Sequence, residues 1–394
     1  MSAVPETTTL NANFSEFSLN KDPMQSRDDT AESTQPSSIA ASLREKSAGS
    51  LKTPLVDPLE SCKPTPAPTL TADQEEKYES LLEIVKSWKE VPAKDDKGGP
   101  IKESEIMWLT RECLLRYLRA TKWHTPESAK RLLTTLTWRR EFGVESFTAD
   151  YISPENETGK QTIVGYDIAA RPCHYLIPGN QNTQPSPRQN QHLVFMVERA
   201  IELMIPGQET LTLLIDFKSS KTRGNTAPPL SQSRECLNIL QMHYPERLGR
   251  ALITNVPWVV WGFFKLITPF IDPLTKEKLR FNEDLRLHVP PEQLWTNFQG
   301  DLKFEYDHET YWPALVKLCE ERHAEQKARW IKGGKIYGES EAYIKGADVP
   351  SLGQPLTQDV KETEITTEKN EENEASGEKS PFLEGIPEGA EVKA

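Results

Sequence analysis

No run of about 18 apolar residues interrupts this 394-residue chain, and no hydrophobic leader opens it. A membrane-spanning helix needs roughly 20 such residues, so the chain is expected to be neither secreted nor membrane-spanning. Cysteine is scarce: Cys62, Cys113, Cys173, Cys236 and Cys319 are odd in number and lack CxxC spacing. They read as reduced thiols of a cytosolic protein, not as a disulfide framework or a zinc site. GxSxG, Walker, GxGxxG and HExxH motifs are all missing, which leaves no motif-level ground for an enzyme, a metal or a cofactor. His308, between Asp307 and Glu309, reads as the polar start of a helix, and His243 has no neighbour that reads as a nucleophile. Basic residues are outnumbered, with 47 Lys and Arg against 59 Asp and Glu, and this acidic balance disfavours general nucleic-acid binding.

What the chain does contain is unevenly spread. Residues 1–72 are rich in Ser, Thr and Pro and poor in large apolar side chains, so they are expected to be a disordered tail. Residues 346–394 are expected to be an acidic disordered tail. From Asp359 onward eleven acidic residues face four lysines, a net −7 out of the chain's −12.

Between the tails the periodicity is first helical. Tyr78, Leu81, Leu82, Val85 and Trp88 form one stripe; Ile106, Leu109, Cys113, Leu114, Tyr117 and Leu118 form a second. A third helix starts at Thr125-Pro126 and runs to about Phe142. These predict a three-helix subdomain over 73–145. Beyond Gly143, short strands at 162–166, 173–177, 211–216 and 251–254 alternate with helices from about Gln189, through Cys236 and from His308. That order predicts an α/β domain with a largely parallel sheet over 146–335.

Tyr244–Phe281 is the most unusual stretch. Trp258–Ile271 carries one charge, Lys265, among aromatic and aliphatic residues that run all the way round a helix. A run this short also suits a buried core helix. Gly262 loosens its middle and Pro269 stops or kinks it. Asp272-Pro273 then caps a new helix start, with Thr275 and Lys278 on one face. A helix start with a hydroxyl and an ammonium beside it suits a phosphate. A greasy segment next to an anion seat suggests a ligand with an oily body and a phosphorylated head.

HYPERLGRALITNVPW and PFIDPLTKEKL resemble the CRAL-TRIO lipid-binding domain of fungal phosphatidylinositol transfer proteins. WLTRECLLRYLRATKW and LTWRREFG are similar to that family's N-terminal helical segment, so the resemblance covers about 75–335. GKQTIVGYDIAARP, RQNQHLVFMVERAIELM and FQGDLKFEYDHETYWPAL look like its pleiotropic (azole) drug resistance subgroup, associated with sterol binding. The resemblance implies headgroup contacts at Arg139 (WRxx(Y/F)G), Asp167 (before the RP dipeptide), Glu246 (YPER), and Thr275 and Lys278 (DPxTxxK). It implies a gate over an apolar cavity carrying Trp258, Trp261, Phe263, Phe264 and Phe270. Positions that hold phosphatidylcholine's phosphate with hydroxyls elsewhere in the family align here with Ile163, His174, Leu211 and Leu213.

The function implied is exchange of phosphatidylinositol between membranes, with phosphatidylcholine excluded and a sterol tolerated, acting on phosphoinositide and sterol homeostasis and azole tolerance. The expected partners are a phospholipid ligand and, transiently, a membrane surface. The expected location is cytoplasmic and peripheral to membranes at the endoplasmic reticulum, lipid droplets or cell periphery. Presentation of the lipid to a phosphoinositide kinase is the alternative that the same pocket supports.

Overall fold

The computed structural model describes residues 49–218, 230–258, 261–262 and 273–353. Helix α1 (Ala72–Ser87) starts at a Thr71/Gln74 capping box and buries Tyr78, Leu81 and Val85 along one stripe. The second expected helix is in fact two, α2 (Glu103–Trp108) and α3 (Arg111–Ala120). Thr110 between them accepts a hydrogen bond from the Cys113 amide at 3.1 Å, a side-chain cap that restarts the helix. Helix α4 (Thr125–Phe142) has its proline in the first turn and ends at Gly143, whose φ of 83° costs a glycine nothing. Leu81, Leu109, Leu114, Leu118, Leu132 and Leu136 meet in a fully buried core shared by these helices.

Past Gly143 the period changes, after one short helix that the pattern hides, α5 (Ala149–Asn156), which contains Pro154. The sheet that follows has strands β1 (Gln161–Tyr166), β2 (Pro172–Leu176), β3 (Leu211–Asp216), β4 (Leu248–Thr254) and β5 (Leu279–Phe281), hydrogen-bonded in that order. The β1–β2 pair is antiparallel and the other three pairs are parallel. Parallel neighbours need crossovers. Helix α6 (Pro187–Glu202) lies between β2 and β3, α7 (Leu230–His243) between β3 and β4, and α8 (Pro273–Glu277) precedes β5. The mostly parallel α/β architecture is therefore as the sequence implied. Helix α9 (His308–Lys332) closes the core with Tyr311, Trp312 and Leu315, and α10 (Glu341–Ile344) follows.

Both expected tail boundaries move outward. Residues 50–64 form a strap: Leu51 exchanges backbone hydrogen bonds with Lys303 and Glu305, at 2.8 and 2.9 Å. Lys52 bridges Asp307 at 2.8 Å, and the Tyr166 hydroxyl donates to the Val56 carbonyl at 2.9 Å. At the other end the Gly338 amide donates to the Leu109 carbonyl at 2.9 Å, and the Leu352 amide donates to Glu339 at 3.0 Å. Composition fails at both places because this order rests on hydrogen bonds to distant elements rather than on local apolar periodicity.

Candidate functional site

Register builds the floor of the site. Ile163 stands opposite His174, His174 opposite Leu213, Leu213 opposite Ala251, and Ala251 opposite Leu279, one row of side chains on one face. Leu211 and Ile215 flank Leu213 on that face, because side chains alternate along a strand. A central parallel strand is ordinarily covered on both faces. On β3, Leu214 is fully buried on the far face, whereas Leu213 and Ile215 are only half-buried.

His174 is the polar exception on this floor, and it is fully buried. Burial pushes its pKa down to about 3, so the ring is neutral near physiological pH. Its Nε2 lies 3.0 Å from Gln161 Oε1, which only accepts, so Nε2 carries the proton. Nδ1 is thereby left an acceptor, with no hydrogen-bond partner among the described residues.

At the sheet's edge the start of the greasy segment comes into view. Trp258 is 84% exposed. The Trp261 ring packs on Phe281 of β5 with centroids 4.8 Å apart, and a side chain placed on Gly262 would meet nothing within 4 Å. Phe263, Phe264 and Phe270, also expected in the gate, lie outside the described residues, as do Pro269 and Asp272.

Of the five expected headgroup residues, the fold brings three to one place. Lys278 Nζ stands 3.8 Å from Glu246 Oε2, with both side chains partly exposed. The Lys278 amide donates to the Thr275 carbonyl at 3.1 Å, which closes the turn that sets these two residues together. Glu246 has φ of 59°, unusual for a residue with a Cβ, at the bend that leads into β4.

The other two are engaged elsewhere. Arg139 forks onto Glu198 at 2.7 and 3.3 Å and stacks over Trp108, 5.2 Å from the ring centre. Burial works against both charges, yet each guards the other: Arg139 is held more basic than usual, and Glu198 more acidic. The Tyr244 hydroxyl donates to the same carboxylate at 2.6 Å, so this buried network fixes the Tyr244–Arg247 loop that carries Glu246. Asp167, fully buried, accepts from the Ala169 and Arg171 amides at 2.8 and 2.9 Å, from the Arg171 guanidinium at 3.1 Å and from Thr212 at 2.7 Å. A carboxylate accepts about four hydrogen bonds. In this structure the lone pairs of Asp167 are filled by protein donors and the fork of Arg139 is closed on Glu198.

Sequence reasoning missed Glu198 and Tyr244, since a pair 59 residues apart has no local signature. Among the described residues no group of His, Cys, Asp or Glu is arranged to hold a metal ion, and no helix is long and apolar enough to cross a membrane.

The floor is buried at Ile163, His174, Leu211 and Ala251 and half-buried at Leu213 and Ile215, and the chain belongs to the CRAL/TRIO family. Residues 156–300 match the CRAL/TRIO domain and residues 77–134 match the CRAL/TRIO N-terminal domain. A CRAL-TRIO domain-containing protein of Schizosaccharomyces pombe is 53% identical over 303 residues, covering 76% of this chain but only 30% of that protein. Phosphatidylinositol transfer protein PDR17 of Saccharomyces cerevisiae is 46% identical over 257 residues, 63% of this chain and 73% of that one. SEC14 cytosolic factor of Kluyveromyces lactis is 28% identical over 270 residues, 63% and 84% of the respective chains.

Proposed function

We propose that this protein binds phosphatidylinositol and exchanges it between membranes, without catalysing a reaction. The acyl chains lie over the Ile163–His174–Leu213 floor, and the inositol phosphate lies at Thr275, Lys278 and Glu246. The observation that carries this reading is the half-buried Leu213 and Ile215 on a central strand. Support also comes from the 46% identity to a relative named for phosphatidylinositol transfer.

The energetics favour such a chamber. A two-chain phospholipid exposes about 30 methylenes on leaving a bilayer, at roughly 0.8 kcal/mol each. An apolar cavity removes most of that barrier. At the rim the ammonium meets the phosphate and the carboxylate accepts inositol hydroxyl hydrogens. Their separation of 3.8 Å exceeds a charge-assisted hydrogen bond, so the pair is not closed on itself. Arg139 contributes through Glu198 and Tyr244 by positioning the Glu246 loop, and Asp167 by bracing Arg171.

Specificity follows from what the floor lacks. Ile163, Leu211 and Leu213 offer hydrocarbon, and the one polar side chain among them, neutral His174, is buried with its only N–H directed at Gln161. A phosphocholine phosphate there meets no donor, at a cost of several kcal/mol. Phosphatidylcholine is therefore excluded, while a sterol, which has no phosphate, is tolerated, and the proposed role in sterol homeostasis and azole tolerance rests on that tolerance. Trp258–Ile271, with Trp258, Trp261, Phe263, Phe264 and Phe270, serves as the gate that opens against a membrane, which the protein visits from the cytoplasm. Mass spectrometry of lipid extracted from the purified protein tests the reading. Phosphatidylinositol should dominate and fall about tenfold or more in Lys278→Ala, since a hydrogen bond to a charged group contributes about 1.5–3 kcal/mol. An extract without phosphatidylinositol, or one unchanged by the substitution, would refute it.

A further inference from the structure

Away from the sheet floor the structure carries a cavity of about 690 Å³, between the strap of residues 50–64, α9 and the turn after α10. That volume is in the range of small-molecule sites, roughly 300–1,000 Å³. None of the floor residues lines it. Apart from 204–206, its lining residues fall outside both spans that match the family, so most of its wall comes from segments beyond the shared domains.

The wall is sorted by depth. Met204 and Ile344 are buried and Ile205 and Leu318 half-buried, which gives the cavity an apolar body. The acidic residues stand at the mouth: Asp57, Glu321 and Glu325 are all exposed, Asp57 turned to Arg322 at 3.3 Å and Glu321 to Lys317 at 3.8 Å. The cations Arg322, Arg329 and Lys345 are half-buried. Arg322 donates to the carbonyls of Val56 and Leu203, and Arg329 to those of Tyr343 and Ala347 at 2.8 and 2.9 Å. A carbonyl satisfies a donor but does not cancel a unit charge.

Lys345 differs from both arginines in having donors to spare. Its Nζ gives one hydrogen bond, to the Ile201 carbonyl at 2.9 Å, where an ammonium can give three. Among the described residues no carboxylate pairs with it: Glu341 is held by Arg116 at 2.6 Å and Glu202 by His323 at 2.9 Å. Burial, with repulsion from Arg247 and Arg322, lowers its pKa to about 8, so it is still largely an ammonium at pH 7. Charges withdrawn from water are ordinarily paired. This one lines an apolar cavity without a counter-charge.

We propose that the cavity binds a monocarboxylate with an apolar body, a fatty-acid-like amphiphile whose carboxylate sits on Lys345 and whose hydrocarbon lies against Met204, Ile205, Leu318 and Ile344. Arg322 and Arg329 attract the negative charge without touching it. A single negative charge suits this wall better than a phosphate dianion, because one ammonium is open and the acids at the mouth oppose a higher charge. The site shares no residue with the floor or the rim, so the proposal stands whether or not phosphatidylinositol occupies them.

The test uses the full chain and reductive methylation, with each lysine followed by mass spectrometry. Dodecanoate should slow methylation of Lys345 about tenfold, the ratio that one charge-assisted hydrogen bond gives, while exposed Lys317 reacts as before. Dodecanol has the body without the charge, and acetate the charge without the body; both should leave Lys345 as reactive as in the free protein. Equal protection by dodecanol would mark apolar filling alone, and equal protection by acetate a free-anion site. Either result would overturn the proposal, as would no protection by dodecanoate. Equilibrium dialysis with labelled dodecanoate gives a second reading that needs no reactivity at Lys345. Lys345→Met should bind about one equivalent fewer than the wild type; the same number bound by the folded variant would overturn the proposal.

Discussion

Arg139 and Lys278 show how similar cations on one chain take different work from their surroundings. Lys278 is partly exposed and 3.8 Å from the Glu246 carboxylate. Arg139 is buried and bound by two short contacts to Glu198. Removing Arg139 alone strands a buried carboxylate, so Arg139→Ala should lower unfolding free energy by about 3–5 kcal/mol, measured by urea denaturation; a loss below about 1 kcal/mol would contradict a closed buried pair. The pH dependence carries a sign. The folded pKa of Glu198 is lowered below the ordinary 4.5, so its contribution is full above that value and fades as pH falls through the lowered one. The acid limb of the stability curve should therefore flatten in Arg139→Ala. At this scale the sequence singles out Thr275 and Lys278 by the capping residue and first-turn proline beside them, and Glu246 only through the resemblance of its YPER motif. It hides Glu198, whose pairing with Arg139 exists only once distant helices are brought together.

Elements were legible in proportion to their periodicity. The stripe of α1, the capped proline start of α4 and the alternation in β3 are regular enough to announce themselves. β5 has three residues with an arginine in the middle, and α5 contains a proline, so neither offers a pattern. The break between α2 and α3 follows from Thr110, a capping residue at a place where the apolar stripe runs on without interruption. The greasy segment after β4 was legible as an oddity, not as a structure: all-round hydrophobicity fits a core helix and a membrane-facing gate equally. Trp258 leans toward the second, being almost wholly in solvent. Trp is favoured at membrane–water interfaces. Trp258→Asp should cut sedimentation with vesicles several-fold while changing stability by no more than about 0.5 kcal/mol; full vesicle binding in that variant would argue against a membrane-facing role.

Across the whole molecule the parts are tied together by buried charge. Arg116 of α3 reaches Glu209, just before β3, at 2.8 Å and Glu341 of α10 at 2.6 Å. Arg247, next to Glu246, lies 3.8 Å from the same Glu341. Burial and the Glu341 charge push Glu112 up to about 7, and burial pulls Lys345 down to about 8. The helical subdomain, the sheet and the C-terminal clasp thus meet one residue away from the proposed headgroup site. That arrangement ties down the rim of the proposed site, so in the proposed function lipid selection falls to the floor and the rim. The most direct measurement of this is transfer between vesicles of labelled phosphatidylinositol and labelled phosphatidylcholine by the intact protein. The account predicts rapid exchange of the first and none of the second above the protein-free rate; equal exchange of both would contradict it.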